Sequence, residues 1–242
     1  MPPATRGAIT KFSQSARLRV FKAFSKIDWS KAGRIKFISL TYPDSVILRD
    51  YKRRNTDRYL FMRYLEKYLH KELSTLWRIE WKGRQSGSLL GCVVPHIHLI
   101  VPNCCYIDKQ VIRDIWSRIL HVTGALCTDI REVKTLKQLL CYVSKYIAKK
   151  NEDTTLDIAS YLNSTGRMWG ITRKNLLPMH PTMVSQELSP SAVNFIREFA
   201  CKVWPNYDVE KGGSFTLLGD EALNLGEILS ARGLVKLSKR IL

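Results

Sequence analysis

The strongest constraint on the fold is an apolar run at residues 93–101 that carries His96 and His98 on alternate positions. Alternate side chains of a β-strand point to the same face of its sheet. Both imidazoles therefore share one face, while Ile97 and Leu99 point into a core on the other. The run predicts a strand with one apolar side and one side that presents two potential metal ligands.

The preceding segment, residues 76–82, alternates in the same way and predicts an antiparallel partner for this strand. Tryptophan and isoleucine occupy its odd positions, and charged side chains occupy its even positions: Arg78, Glu80 and Lys82. The glycine-containing loop between the two segments favours a β-hairpin. A hairpin centred near residues 88–89 would place Glu80 opposite His96 or His98. We therefore expect two imidazoles and one carboxylate to meet on one face of the sheet.

The order of the predicted elements defines a fold class. The pattern predicts strands at residues 35–42, 76–82, 93–101 and 127–134, and helices at residues 56–74, 108–121 and 136–149. The order β-α-β-β-α-β plus a helix is the split βαβ arrangement of ferredoxin-like and RRM-like folds, an α+β class built on a central antiparallel sheet. In that arrangement the first and third strands lie side by side in the middle. Two helices cover one face, and we expect the last helix to lie across the face left open.

The net charge of the chain indicates the kind of partner it binds, and its composition suggests a division into three segments. The 242 residues carry a net charge of +18, with lysine and arginine spread along the whole length, which attracts polyanions and above all nucleic acid. We expect a basic N-terminal arm or docked helix at residues 1–30, a central domain at 31–180 and a C-terminal extension at 181–242. Prolines break the extension into pieces, with predicted helices at 191–203 and 223–242 and a strand at 214–218.

The sequence predicts a cytoplasmic protein without a membrane partner. No apolar stretch reaches the ~20 residues that span a bilayer, and the N-terminus lacks the apolar core of a signal peptide. The six cysteines form no C-x-x-C pair and lie mostly in apolar runs, which indicates reduced thiols. A basic surface for anionic lipid is the alternative to nucleic acid.

Two imidazoles and a carboxylate form a mixed nitrogen and oxygen site that suits a divalent cation. Such a set favours Mn²⁺ or Mg²⁺, with positions left for water and a phosphate oxygen, and ligand type alone leaves zinc open. The predicted metal ligands are His96, His98 and Glu80. The alternative is that the histidines are ordinary polar residues of a half-exposed strand and that Glu80 is an exposed carboxylate.

The last predicted helix carries two tyrosines, Tyr142 and Tyr146, spaced so that both phenols lie on one face. A phenol is a weak nucleophile at neutral pH. It becomes useful when a cation stabilises the phenolate and a metal withdraws charge from the phosphate under attack. Lys149 lies on nearly the same face as both phenols, whereas Lys145 points to the flank and is the alternative cation. Tyrosines at this spacing otherwise pack on a sheet as part of an amphipathic helix.

These motifs, in this order, resemble those of HUH-type endonucleases, specifically the two-tyrosine rolling-circle replication initiators (Rep proteins) of plasmids and single-stranded DNA phages. The resemblance covers residues 35–175. It is carried by the strand motif at residues 37–43 (FISLTYP), the pair His96-Ile97-His98, and the pattern Y-x-x-K-Y-x-x-K formed by Tyr142, Lys145, Tyr146 and Lys149.

Two further segments bear on the resemblance. Glu80 matches the position where related initiators supply a carboxylate ligand, although the hairpin at residues 83–94 is longer than the Arg-Gly link that relatives often have. Residues 166–170 (GRMWG) are similar to a segment that follows the tyrosine helix in plasmid and microvirus-like members. We interpret this segment as a turn closed by a packed tryptophan and assign it no chemistry.

The resemblance implies a metal-dependent, site- and strand-specific nick in single-stranded DNA at a replication origin, presented as a hairpin or as supercoiled duplex. It implies that tyrosine attacks the phosphate, forms a 5′-phosphotyrosine and frees a 3′-hydroxyl that primes synthesis, while the second phenol allows strand joining. The sequence contains no nucleotide-binding loop G-x-x-x-x-G-K-[ST], so a helicase and a polymerase of the bacterial or archaeal host are expected partners. The expected DNA contacts are made by Arg78, Lys82, Arg84 and Lys150.

Three alternatives share part of this pattern. A two-tyrosine transposase would carry an N-terminal cysteine-rich zinc module, of which this sequence shows none, and a relaxase would place its tyrosine ahead of the histidines. A non-catalytic RRM-like module would carry aromatic residues on its central strands for base stacking. Here those positions hold His96, His98 and a nearby acid, which favours a metal site over stacking.

Overall fold

The computed structural model describes residues 12–47, 53–123, 128–143, 167–179 and 188–203, together with residues 225, 228, 229 and 232. The chain divides into two compact units, Met1–Met179 and His180–Leu242. The division lies beside the boundary expected at 180/181, and the N-terminal residues belong to the first unit. No described helix is long and apolar enough to cross a membrane.

One antiparallel sheet of five strands organises the first unit. The strands are β1 (Ile35–Thr41), β2 (Thr75–Gly83), β3 (Val93–Val101), β4 (Thr128–Val133) and β5 (Trp169–Thr172). They lie in the order β4-β1-β3-β2-β5. The α+β prediction is confirmed, as is the adjacency of the first and third strands in the middle of the sheet. The arrangement is compatible with the split βαβ order.

The described helices of the first unit are α1 (Gln14–Ser25), α2 (Asp44–Ile47), α3 (Arg54–Leu69), α4 (Lys109–Leu120) and α5 (Leu136–Tyr142). Side-chain caps fix three of their N-termini, those of α1, α4 and α5. Asp108 accepts a hydrogen bond from the backbone N–H of Gln110 at the start of α4, and Thr135 accepts one from the N–H of Gln138 in α5. In the second unit, Pro190–Val203 forms a helix that we call α6.

Helices α3 and α4 cover the side of the sheet that holds Trp77 and Trp81. The guanidinium of Arg58 in α3 stacks 3.9 Å from the centre of the Trp77 ring. The indole N–H of Trp116 in α4 donates a hydrogen bond of 3.0 Å to the backbone carbonyl of Thr41. These contacts bury Trp77, Trp81 and Trp116 between the helices and the sheet and form the core on this side.

The other side of the sheet, which carries His96 and His98, is here called the histidine face. We expected this face to be open except for the last helix, but much of it is buried, and Phe37 and Ile100 are at most 2% exposed. Phe12, just ahead of α1, lies over Arg78 at 4.0 Å, and Tyr142 of α5 stacks on Phe37. The N-terminal segment thus shares this face with the last described helix.

Helix α1 buries one stripe of side chains within the first unit. Ala16, Val20 and Phe24 are spaced four residues apart and therefore lie on one side of the helix. All three are buried. Ser13 caps the helix by accepting a hydrogen bond from the backbone N–H of Ala16.

The segment at residues 166–170 contains the beginning of a strand, and our interpretation of it as a turn is wrong for its last residues. Trp169 and Gly170 pair with Arg78 and Trp77, which adds β5 to the edge of the sheet beside β2. A Cβ atom on Gly170 would lie 2.9 Å from Cζ2 of Trp77, so the close approach of the strand to the indole requires glycine.

Candidate metal and nucleophile site

Strand β1 fixes the two histidines through a pair of hydroxyl groups. Its antiparallel register with β3 places Ser39 opposite His98 and Thr41 opposite His96. The Ser39 hydroxyl lies 3.0 Å from Nδ1 of His98, and the Thr41 hydroxyl lies 3.2 Å from Nδ1 of His96. With each Nδ1 engaged by a hydroxyl, Nε2 becomes the ring nitrogen available to a metal.

Strand β2 brings Glu80 to these rings. Glu80 lies opposite His96, which is one of the two registers expected from the hairpin. Its carboxylate reaches diagonally to the other histidine, with Oε2 3.0 Å from Nε2 of His98. Glu80 and His98 are both buried, so the pair is shielded from bulk water. The three predicted ligands therefore share one face, and two of them are in direct contact.

Burial keeps the two imidazoles neutral. Desolvation lowers the pKa of His96 to about 4, helped by the neighbouring His98 and opposed by Glu80. Desolvation also lowers the pKa of His98, although its hydrogen bond with Glu80 acts in the opposite direction. We therefore regard the contact between His98 and Glu80 as a hydrogen bond rather than an ion pair. Neutral imidazole is the form that binds a metal.

The donor atoms of this set fit a divalent cation, but two of its members, His98 and Glu80, are hydrogen-bonded to each other. Metal–nitrogen and metal–oxygen bonds measure roughly 2.0–2.2 Å, so an ion between His98 and Glu80 requires their 3.0 Å hydrogen bond to open. Within the part of the chain that the structure describes, no group of three or more His, Cys, Asp or Glu side chains is arranged to hold a metal. The residue types are suitable, but Glu80 would have to move away from Nε2 of His98 before an ion could bind between them.

Phe37 lies between Tyr142 and His98 and stacks with both rings. The ring of Tyr142, the last residue of α5, stacks on Phe37 with a centroid distance of 4.4 Å and an angle of 13° between the planes. Phe37 in turn lies 5.8 Å from the ring of His98, again nearly parallel. Tyr142 is thereby held on the histidine face, one ring away from a predicted metal ligand.

The remaining residues of the tyrosine motif lie outside the described residues. These are Tyr146 and the lysines Lys145 and Lys149, together with Lys150, one of the expected DNA contacts. Their predicted roles stay predictions.

The other expected DNA contacts have three different environments. Arg78 is fully buried, and desolvation lowers its pKa to about 10, so the exposure that a DNA contact needs is not found there. Arg84 is bound within the protein: its Nε lies 2.7 Å from Oδ1 of Asp44 and it donates a 2.6 Å hydrogen bond to the Tyr42 carbonyl. Lys82 is exposed.

Sequence reasoning missed several residues that shape the site. Ser39, Thr41 and Phe37 lie in the strand motif at residues 37–43, and alternation alone places them on one face of β1. The missing information was the register between β1 and β3, because these strands are far apart in the chain. Arg131 of β4 was missed as well: it lies opposite Phe37, the residue on which Tyr142 stacks.

Comparison with known proteins adds no relative to this description. No protein-family model, no curated protein and no solved structure matches the chain.

Proposed function

We propose that this chain is a rolling-circle replication initiator, a metal-dependent enzyme that nicks and rejoins single-stranded DNA at an origin through a 5′-phosphotyrosine. One observation carries the proposal: a single sheet face holds two neutral histidines, a carboxylate bonded to one of them, and a tyrosine stacked one ring away. The sheet order supports a ferredoxin-like fold of the kind that the motif resemblance implies.

In this proposal His96, His98 and Glu80 hold a divalent cation, Mn²⁺ or Mg²⁺, which supplies Lewis acidity at the scissile phosphate. Ser39 and Thr41 orient the two imidazoles through Nδ1. Phe37 positions the ring of Tyr142, whose oxygen attacks the phosphorus while the 3′-oxygen leaves. Tyr146 is the second nucleophile, used to cleave the regenerated origin, with Lys149 or Lys145 as the nearby cation.

The net charge of +18 supports single-stranded or supercoiled origin DNA as the substrate, because counterion release then favours binding. A helicase and a polymerase of a bacterial or archaeal host, met in the cytoplasm, are the partners that such a cycle needs. Lys82, exposed on the hairpin beside the metal ligands, and Lys150, later in the sequence than the tyrosines, are the proposed contacts to the DNA backbone. Arg84 is held by Asp44 and the Tyr42 carbonyl and is not among them.

The proposal predicts a covalent protein–DNA adduct. The full chain is incubated with Mn²⁺ and a random-sequence pool of single-stranded DNA, and adducts that survive denaturation are isolated and sequenced. We expect adducts that share one sequence. Tyr142→Phe and Tyr146→Phe should each retain part of the adduct and their combination should lose it, whereas Tyr68→Phe, an exposed tyrosine of α3, should leave it unchanged.

The histidines separate this proposal from a binding module. His96→Gln and His98→Gln should lose adduct formation by about 100-fold or more while they still bind DNA, since a metal ligand is lost and the basic surface is kept. His121→Gln, on the surface at the end of α4, is the matched control. DNA binding by the native chain without any adduct would instead support a non-catalytic RRM-like module.

A further inference from the structure

A guanidinium lies close to the proposed nucleophile. Arg131 of β4 lies opposite Phe37 in the sheet, and Phe37 is the residue on which Tyr142 stacks. Arg131 and Tyr142 are therefore both neighbours of Phe37 on the histidine face. Asp129, and after it Tyr142, raise the pKa of Arg131.

Asp129 fixes the guanidinium in this position. Its carboxylate Oδ2 accepts a hydrogen bond of 2.6 Å from Nε of Arg131, two residues along the same face of β4. Arg131 carries five N–H donors, so its bond to Asp129 leaves donors for the phenol oxygen and for a further oxygen. The Arg131 side chain is 62% exposed, which allows a phosphate to approach it from solvent.

We propose that Arg131 is a catalytic residue of the nicking reaction, donating hydrogen bonds to the oxygen of Tyr142 and to a non-bridging oxygen of the phosphate that it attacks. The inference rests on the proposed nicking function. The oxygen of Tyr142 forms its bond to phosphorus as the bond from phosphorus to the 3′-oxygen breaks. The phenol proton passes to water, the 3′-oxygen takes a proton from water, and no other reactant is consumed.

This assignment differs from the cation expected from the sequence. Lys149 was expected because it lies on nearly the same face of the predicted helix as both phenols, and Lys145, between them in the sequence, was the alternative. Arg131 is on a strand, and its proximity depends on the fold. Fixed donors aimed at developing negative charge accelerate such reactions because they need no reorganisation at the moment of reaction. The Asp129 and Phe37 contacts provide that fixation for Arg131 and Tyr142 respectively.

The test uses the Tyr146→Phe background, in which Tyr142 is the remaining phenol of the motif. Arg131→Gln keeps a hydrogen-bonding side chain and removes the charge, and Arg113→Gln, exposed on α4, is the matched control. With single-stranded DNA and Mn²⁺ we expect adduct formation about 100-fold slower for Arg131→Gln, a much smaller change in DNA affinity, and partial rescue by Arg131→Lys.

The conservative variant Arg131→Lys separates a catalytic contact from a structural one. If the contact between β4 and α5 were purely structural, its loss would change thermal stability, but adduct formation would not depend on the charge at position 131. Arg131→Lys and Arg131→Gln would then form adducts at the same rate.

The outcomes distinguish the inference from the function on which it rests. Native nicking that is unaffected by Arg131→Gln would overturn the role of Arg131 and leave the nicking function standing. Absence of any adduct from the native chain would overturn the nicking function and, with it, the role of Arg131 in that reaction.

Discussion

At the scale of single residues, the hydroxyls of Ser39 and Thr41 determine how the two histidines are presented. A neutral imidazole has one donor and one acceptor nitrogen, and the partner at one nitrogen decides the role of the other. Both hydroxyls contact Nδ1, at 3.0 and 3.2 Å. When Nδ1–H donates to the hydroxyl oxygen, the lone pair on Nε2 is free for a cation, as is usual for metal-binding histidines. His98 reaches that form only when its Nε2–H no longer donates to Glu80.

Removing these hydroxyls should weaken metal binding more than it weakens the fold. For the combined variant Ser39→Ala and Thr41→Val we expect the affinity for Mn²⁺ to fall by about 10- to 100-fold, which is typical when partners that orient a ligand are lost. The measurement is a titration of the free chain with Mn²⁺, followed by electron paramagnetic resonance of the unbound ion. Ser45→Ala, exposed in α2, is the control. An unchanged affinity would contradict the orienting role.

Arg78 shows where residue-level reasoning failed. Strand alternation correctly places it on the face of His98, and a charged residue on a face expected to be open suggests exposure to DNA. The structure instead covers it with the ring of Phe12 at 4.0 Å. Phe12 is more than sixty positions away in the chain, so no local pattern connects the two residues. A buried arginine stacked on an aromatic ring positions the N-terminal segment on the sheet.

At the scale of elements, the sequence predicts the four strands β1 to β4 from two local signals. Residues 35–42 are apolar and β-branched, and the segments that form β2 and β3 alternate apolar side chains with the polar ones of the histidine face. The hairpin supplies the register of β2 with β3, and hence of Glu80 with His96. Strand β5 escapes this reasoning because it has four residues, one of them glycine, and no alternation. Its identity as a strand comes from pairing with β2, a long-range contact that the sequence does not display.

Gly170 should be irreplaceable at this edge of the sheet. The Cβ of Gly170→Ala would lie 2.9 Å from the indole of Trp77. The guanidinium of Arg58 stacks on that indole and holds it in place. We expect the free energy of unfolding to fall by about 1–3 kcal/mol, the range for overpacking a core. Urea denaturation measures the loss, and faster amide exchange in residues 169–172 locates it in β5.

A double-mutant cycle identifies the ring as the cause. Trp77→Phe removes the indole atoms that a Cβ at position 170 would meet, namely Cζ2, Cε2 and Nε1. In the Trp77→Phe background, Gly170→Ala should therefore cost less than it costs in the native chain. Equal costs in both backgrounds would mean that backbone conformation, and not the Trp77 ring, requires glycine at this position.

At the scale of the whole molecule, the chain combines a strongly positive net charge with a site whose two histidines are held neutral. The charge of +18 belongs to the molecule as a whole, whereas the histidine face lowers the pKa of His96 and His98 by local burial. Protonation of these rings is opposed by desolvation and, for each ring, by nearby cationic side chains such as Lys82. Folding is therefore linked to pH through the site.

The sign of this linkage follows from the direction of the shift. Because folding lowers the pKa of His96 from 6.5 to about 4, the unfolded chain binds more protons than the folded chain between these values. The contribution of His96 to stability is complete above its unfolded pKa and is lost as the pH falls toward the folded one. Between about pH 7 and pH 5 we expect the free energy of unfolding to fall by up to about 2 kcal/mol from His96, with His98 acting in the same direction.

Urea unfolding of the full chain at a series of pH values measures this loss. A chelator is present throughout, because metal binding to the same imidazoles would add its own pH dependence. His96→Gln removes one titrating group while keeping a side chain that can bond Thr41, so its stability should fall less steeply with acidity than that of the native chain. His121→Gln, exposed at the end of α4, should retain the native slope. If the native chain and His96→Gln lose stability in parallel, the fold does not hold His96 neutral. Metal binding would then first require the loss of a proton from its ring.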